Sequence, residues 1–131
     1  ALHLSYLKRR YHQTRYSVSL PRLRPSVGGY DPACPIDDKG MLQLILAFRL
    51  LDSHLEISLS TRESEAFRNN VLTLGITSMS AGSHTEPGGY AEKHEELEQF
   101  TINDSRSPEE FAQYLRSVGY EPVWKDWDRW L

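Results

Sequence analysis

The stretch from 38 to 51 constrains this chain most, because it is apolar on nearly every helical face. Met41, Leu42, Leu44, Ile45, Leu46, Phe48, Leu50 and Leu51 leave little polar surface. A surface helix carries one apolar stripe, whereas an all-round apolar helix needs cover on more than one side. Asp37 or Asp38 supplies its N-cap. Two short alternating segments flank it. Tyr16, Val18 and Leu20 alternate with Ser17 and Ser19; Leu55, Ile57 and Leu59 alternate with Glu56, Ser58 and Ser60. Period-two alternation of this kind reads as strand. Two strands joined by a crossover helix imply parallel pairing with a right-handed connection.

The same alternation continues along the chain. Ser60-Thr61-Arg62-Glu63 has capping-box spacing, so a helix is expected straight off the second strand, with Phe67, Val71 and Leu74 as its inner stripe. Residues 76–79 follow Gly75 as a third short strand. Before the first strand, Leu4, Leu7 and Tyr11 sit at helical spacing in residues 2–13. Residues 25–36 hold three prolines and Gly28-Gly29, a loop. Residues 81–106 are polar and mostly loop, with a helical turn expected at 91–98. Ser107-Pro108-Glu109-Glu110 then combines an N-cap, a first-turn proline and a glutamate at the third position, a strong helix start. Its apolar face is Phe111, Tyr114, Leu115 and Val118, and Gly119 ends it. An extended piece at 121–124 leads into a tail with Trp124, Trp127 and Trp130, whose spacing suits anchoring on a protein wall.

The order is therefore α-β-α-β-α-β-loop-α. The fold class is α/β. Three strands make an incomplete sheet, and the 38–51 helix wants more neighbours than they supply. Both facts point to part of a larger (β/α) barrel.

At 131 residues the chain is one domain by size. Its net charge of −3 gives no global drive toward nucleic acid or anionic membrane. Lys8-Arg9-Arg10 with Arg15 reads as a solvated helix face. The single cysteine, Cys34, excludes an internal disulfide and fits a reducing, cytoplasmic setting. No apolar run reaches the roughly 20 residues of a membrane span, and no signal-peptide order is seen at the N-terminus.

In a (β/α) barrel the active site lies at the C-terminal strand ends. Arg22 and Arg24 follow the first strand here, Ser60-Thr61-Arg62-Glu63 the second, and Ser78, Ser80 and Ser83 mark the third. A guanidinium fork with nearby hydroxyls suits a carboxylate ligand. The plainer alternative is that each is an ordinary polar strand end. No pair among His3, His12, His54, His84 and His94 has metal-site spacing on a helix face, and Cys34 lacks a motif-placed base. Pro87-Gly88-Gly89-Tyr90 is a turn without the lysine or glycine pattern of a phosphate loop.

Taken together, residues 16–25 (YSVSLPRLRP), 55–63 (LEISLSTRE), 78–83 (SMSAGS), 87–90 (PGGY), 98–101 (EQFT) and 124–128 (WKDWD) resemble the C-terminal third of the 2-iminoacetate synthase family. The wider group is the biotin and thiamin synthesis-associated domain. Single pieces are weak signals; the ordered set is specific and spans nearly all of 1–131. The resemblance implies the C-terminal part, about three β/α units, of a radical S-adenosylmethionine (SAM) (β/α)8 barrel. Its full-length members are carbon–carbon lyases. They use a [4Fe–4S] cluster on a Cys-x3-Cys-x2-Cys motif and SAM to cleave tyrosine to dehydroglycine and p-cresol, for thiamin thiazole synthesis. Thiazole synthase is the implied partner.

By the same resemblance, Arg62 matches the arginine that clamps the substrate carboxylate, and Ser80 a position near it. Arg24, with Arg22, matches a motif on the SAM side. The cluster motif is absent, and ligation needs three thiolates. The resemblance therefore implies a missing N-terminal barrel half, no metal site or catalytic residue in this chain, and no activity for it alone. A sister family, the hydrogenase maturase that also cleaves tyrosine, carries further cysteines after its barrel. This chain has none after Cys34, which favours the thiamin branch. The rival expectation is a non-catalytic module that docks on thiazole synthase or on a separate N-terminal half.

Overall fold

Tyr16 illustrates how the first two elements are joined. Its single hydroxyl hydrogen is shared between the carbonyls of Leu7 (2.9 Å) and Tyr11 (3.0 Å), in the last turn and just beyond the end of the first helix. Both carbonyls also accept a backbone N–H, Leu7 from Tyr11 (2.8 Å) and Tyr11 from Thr14 (3.1 Å), so the hydroxyl adds a further tie between the helix end and the start of the sheet. The helix, α1, spans Leu2–Arg10, shorter than its periodicity suggests. In this computed structural model the described residues are 1–23, 32–85 and 102–124.

Strand β1 (Ser17–Ser19) is followed by α2 (Asp38–Leu51), β2 (Glu56–Leu59), α3 (Glu65–Val71), β3 (Ser78–Met79) and α4 (Pro108–Ser117). The strands form one parallel sheet in the order β1-β2-β3. Register pairs Ser17 with Glu56, Ser19 with Ser58 and Ser58 with Ser78. Paired residues share a face, so Ser17, Ser19, Glu56, Ser58 and Ser78 line one side. Val18, Ile57, Leu59 and Met79 line the other, and that side holds the core. Thr77 extends the β3 edge: its hydroxyl accepts from the Ile57 N–H at 2.7 Å and donates to the Ile57 carbonyl at 3.1 Å.

Leu4 from α1, Met41 and Ile45 from α2, and Phe67 and Val71 from α3 pack with Leu55, Ile57 and Leu59. Burial of each such side chain stabilises by about 1.5–3 kcal/mol. One face of the sheet is thus dry and helix-covered, and the other is serine-rich.

Asp37, not Asp38, caps α2, accepting from the Gly40 N–H at 2.7 Å. The all-round apolar character of α2 is met on one side only. Met41 and Ile45 are buried, but Leu50 is 89% exposed, and Leu44, Leu46 and Leu51 are exposed too. Within the described residues, nothing covers that outer face.

Two local readings need correction. The helix after β2 does not start at Ser60. Its cap is Ser64, which accepts from the Phe67 N–H at 3.2 Å, and the helix begins at Glu65. Residues 60–63 form a turn closed by the Glu63 N–H and the Ser60 carbonyl at 3.3 Å. The reason is that the Glu63 carboxylate is engaged by Arg22 rather than the Ser60 backbone. Leu74, expected on the inner stripe, is 39% exposed because α3 ends before it. By contrast α4 begins as its sequence requires, with both halves of the Ser107–Glu110 capping box formed and Pro108 in the first turn.

The turn expected at 91–98, the 87–90 motif, Arg24, His94, Trp127 and Trp130 lie outside the described residues. Trp124 is 55% exposed. No helix among the described residues is long and apolar enough to cross a membrane.

Candidate functional site

Because all three strands run parallel, their C-terminal ends share one edge. Arg22 emerges three residues after β1, Arg62 three residues after β2, and Ser80 directly after β3. These three candidates therefore come to the same edge.

Their surroundings differ sharply. Arg22 is committed to the fold. Its Nε donates to the Glu63 carboxylate at 2.9 Å, its Nη2 donates to the same oxygen, and its Nη1 reaches Asp38 at 2.7 Å. The guanidinium also lies 4.9 Å over the Phe67 ring. Bonding to Glu63 raises its pKa above the ordinary arginine value, although burial opposes this. Arg22 thus neutralises a carboxylate that is only 1% exposed, and ties β1 to the start of α2 and the turn before α3.

Arg62 sits partly exposed in that turn. Its N–H donates to the Ser60 hydroxyl at 3.3 Å, and its carbonyl accepts from the Asn103 carboxamide at 2.7 Å. Ser80 is exposed. Its N–H continues the ladder to the Leu59 carbonyl at 3.1 Å, and its own carbonyl accepts from Arg68.

Arg68 opens a network that sequence reasoning missed. It is 1% exposed on α3 and donates to Asp104, also 1% exposed. Arg106 completes the group, donating to Asp104 at 2.9 Å and 2.6 Å and to the Asn69 side chain at 3.1 Å. Both guanidiniums lie 4.8 Å over the Phe111 ring, and Arg106 also lies 5.1 Å over Tyr114. Burial pushes the Asp104 carboxyl up, but hydrogen bonds from Arg106 and the Arg68 charge outweigh it and hold the group below the usual carboxylate range. The one sequence signal was Arg68 itself, a charged residue beside the apolar stripe of α3.

Glu63 also acts on Arg68 electrostatically. Charges therefore alternate along the strand-end edge: Asp38, Arg22, Glu63, Arg68, Asp104, Arg106.

A cleft of about 1090 Å³ opens beside the serine-rich sheet face, lined by Ser17, Glu56, Ser78, Phe111, Leu115 and Trp124 among others. Arg62 and Ser80 are not among its lining residues. Met79 and Ala81, on either side of Ser80, do line it, so the cleft reaches the end of β3.

A cluster of the [4Fe–4S] type does not fit this chain's donor set. It requires three thiolates; the sequence holds Cys34 alone, which is exposed. Among the described residues no three His, Cys, Asp or Glu side chains converge.

The chain is 55% identical, over all 131 residues, to 2-iminoacetate synthase from Salmonella typhimurium, and 54% identical to that from Escherichia coli. It spans 35% of the length of each. Among solved structures it resembles HydG, a maturase of the [FeFe]-hydrogenase, with TM-score 0.80 and 36% identity over 90% of this chain and 26% of that one. HydG from Carboxydothermus hydrogenoformans gives TM-score 0.77 and 33% identity over 90% of this chain and 27% of that one. The model of the Biotin and Thiamin Synthesis associated domain matches residues 19–121, from the last residue of β1 to just beyond α4, and to that family the chain belongs.

Proposed function

We propose that residues 1–131 are the C-terminal portion of a radical SAM tyrosine lyase, a 2-iminoacetate synthase, and close its (β/α)8 barrel. The carrying observation is that the match to 2-iminoacetate synthase, at 55% identity, covers all 131 residues. Identity to the maturase structures is lower, at 36% and 33%, which favours the thiamin branch. In this reading the Arg62 guanidinium binds the tyrosine carboxylate through its planar fork, and the Ser80 hydroxyl donates to the same group. Arg24 belongs to the SAM side. Cluster ligation and radical formation fall to the rest of the full-length protein, and thiazole synthase receives the product.

The test is Arg62→Ala in the full-length protein. Tyrosine cleavage, read as p-cresol release, is expected to vanish while SAM binding persists. Full p-cresol release overturns the assignment.

A second reading, a docking module without catalysis, draws on the exposed outer face of α2, where Leu50 is 89% exposed. Size-exclusion of the chain with and without the N-terminal portion separates the two. Co-elution without any tyrosine cleavage favours the module.

A further inference from the structure

Residues 103–106 grip both loops that carry the proposed carboxylate ligands. Toward the loop after β2, the N–H groups of Asn103 and Asp104 both donate to the Thr61 carbonyl, at 2.9 and 3.2 Å. The Asn103 carboxamide adds its bond to the Arg62 carbonyl at 2.7 Å. Toward the loop after β3, the Arg106 carbonyl accepts from the Gly82 N–H at 3.1 Å. Asp104 holds Arg68, which in turn donates to the Ser80 carbonyl. One four-residue segment thus bridges two strand ends.

Resting on the carboxylate-clamp reading above, we infer that Asn103 is a positioning residue for substrate binding, fixing the backbone from which Arg62 reaches the substrate. Arg62's own N–H bond to Ser60 is long, 3.3 Å, and the bond from Asn103 to its carbonyl is the shorter of these two described holds on its backbone. A bidentate guanidinium–carboxylate pair depends on alignment, so loosening the backbone beneath it weakens binding before it affects chemistry. Asn103 is exposed and stands outside the buried Arg68–Asp104–Arg106 group, so its side chain is removable without stranding a charge.

The experiment compares Asn103→Ala, Asn103→Asp and Arg62→Ala in the full-length enzyme. Asn103→Asp keeps shape but replaces the donor with an acceptor facing a carbonyl. Both Asn103 variants are expected to raise the tyrosine KM about fivefold, the worth of one hydrogen bond, with kcat and the KM for SAM within about twofold. Thermal midpoints should stay close to that of the unsubstituted enzyme. An unchanged tyrosine KM in both Asn103 variants, with p-cresol release lost in Arg62→Ala, overturns the positioning role and leaves the clamp standing. Full p-cresol release in Arg62→Ala overturns the clamp and this inference with it. Parallel losses in midpoint, kcat and SAM KM mark a merely structural role, which also overturns it.

Discussion

The Arg68 guanidinium donates to the Asp104 carboxylate in the interior, where each side chain is 1% exposed. Asp104 lies between Arg68 and Arg106, so it compensates two cations at once. Removing one partner of a buried pair costs about 3–5 kcal/mol, because the other charge stays buried alone. Asp104→Ala is therefore expected to lower the unfolding free energy by about that much, read as a shift in the urea midpoint. The Lys8–Asp52 pair is the internal control. Lys8 is 43% exposed, and an ion pair with an exposed partner contributes about 0–1 kcal/mol. A loss in Asp104→Ala no larger than that in Lys8→Ala would show that the network does not hold the fold.

Asp104 also sets an acid limit. Its pKa is depressed in the folded state, despite burial, by Arg106 and Arg68. The unfolded carboxyl titrates near about 3.9. A depressed folded pKa contributes stability that is fully present above the unfolded value and is lost as pH falls through the folded one. The stability difference between the unsubstituted chain and Asp104→Asn should thus be flat from about pH 5 to 8 and shrink below about pH 4. Subtraction cancels Asp52, whose pKa is also lowered, chiefly by its bond from Lys8. A difference that instead changes between pH 6 and 8 would assign the effect to another group.

Periodicity made much of this architecture legible. Alternation around Val18, Ile57 and Leu59 identifies the strands, and Ser107-Pro108 with Glu110 marks α4 to the residue. The misreadings have a common cause in contacts distant along the chain. Ser60–Glu63 and Ser64–Phe67 both offer a capping serine before a helix. The choice is made by Arg22, 41 residues before Glu63, which takes the carboxylate the first box needs. The two carboxylate partners of Arg22 are likewise far off in sequence, 16 and 41 residues away. Asp104 lies in loop as its sequence implied, but its burial against Arg68, 36 residues away, was not legible. Strand-end placement of Arg62 and Ser80 was legible, since it follows from parallel topology; the segment at 103–106 that grips their loops was not.

Gly82 ties this edge to α4 through sterics rather than charge. Its φ is +61°, and a Cβ there would stand 2.8 Å from Pro108 Cδ and 3.2 Å from Cγ. The proline ring opens α4 and is fixed in place by the capping box around it, so it has little freedom to retreat. Gly119 provides the comparison. Its φ is +87°, but nothing lies within 4 Å of the same added atom. Gly119→Ala meets only the left-handed backbone penalty, about 1 kcal/mol. Gly82→Ala meets that penalty plus the clash, and is expected to cost about 2–3 kcal/mol in urea unfolding. Relief of the clash displaces the loop two residues beyond Ser80, so, on the proposed carboxylate-clamp reading, Gly82→Ala in the full-length protein should also raise the tyrosine KM, whereas Gly119→Ala should not. Equal costs for the two alanines would mean that the β3 loop yields freely to Pro108, and would remove the steric link between α4 and the strand-end edge.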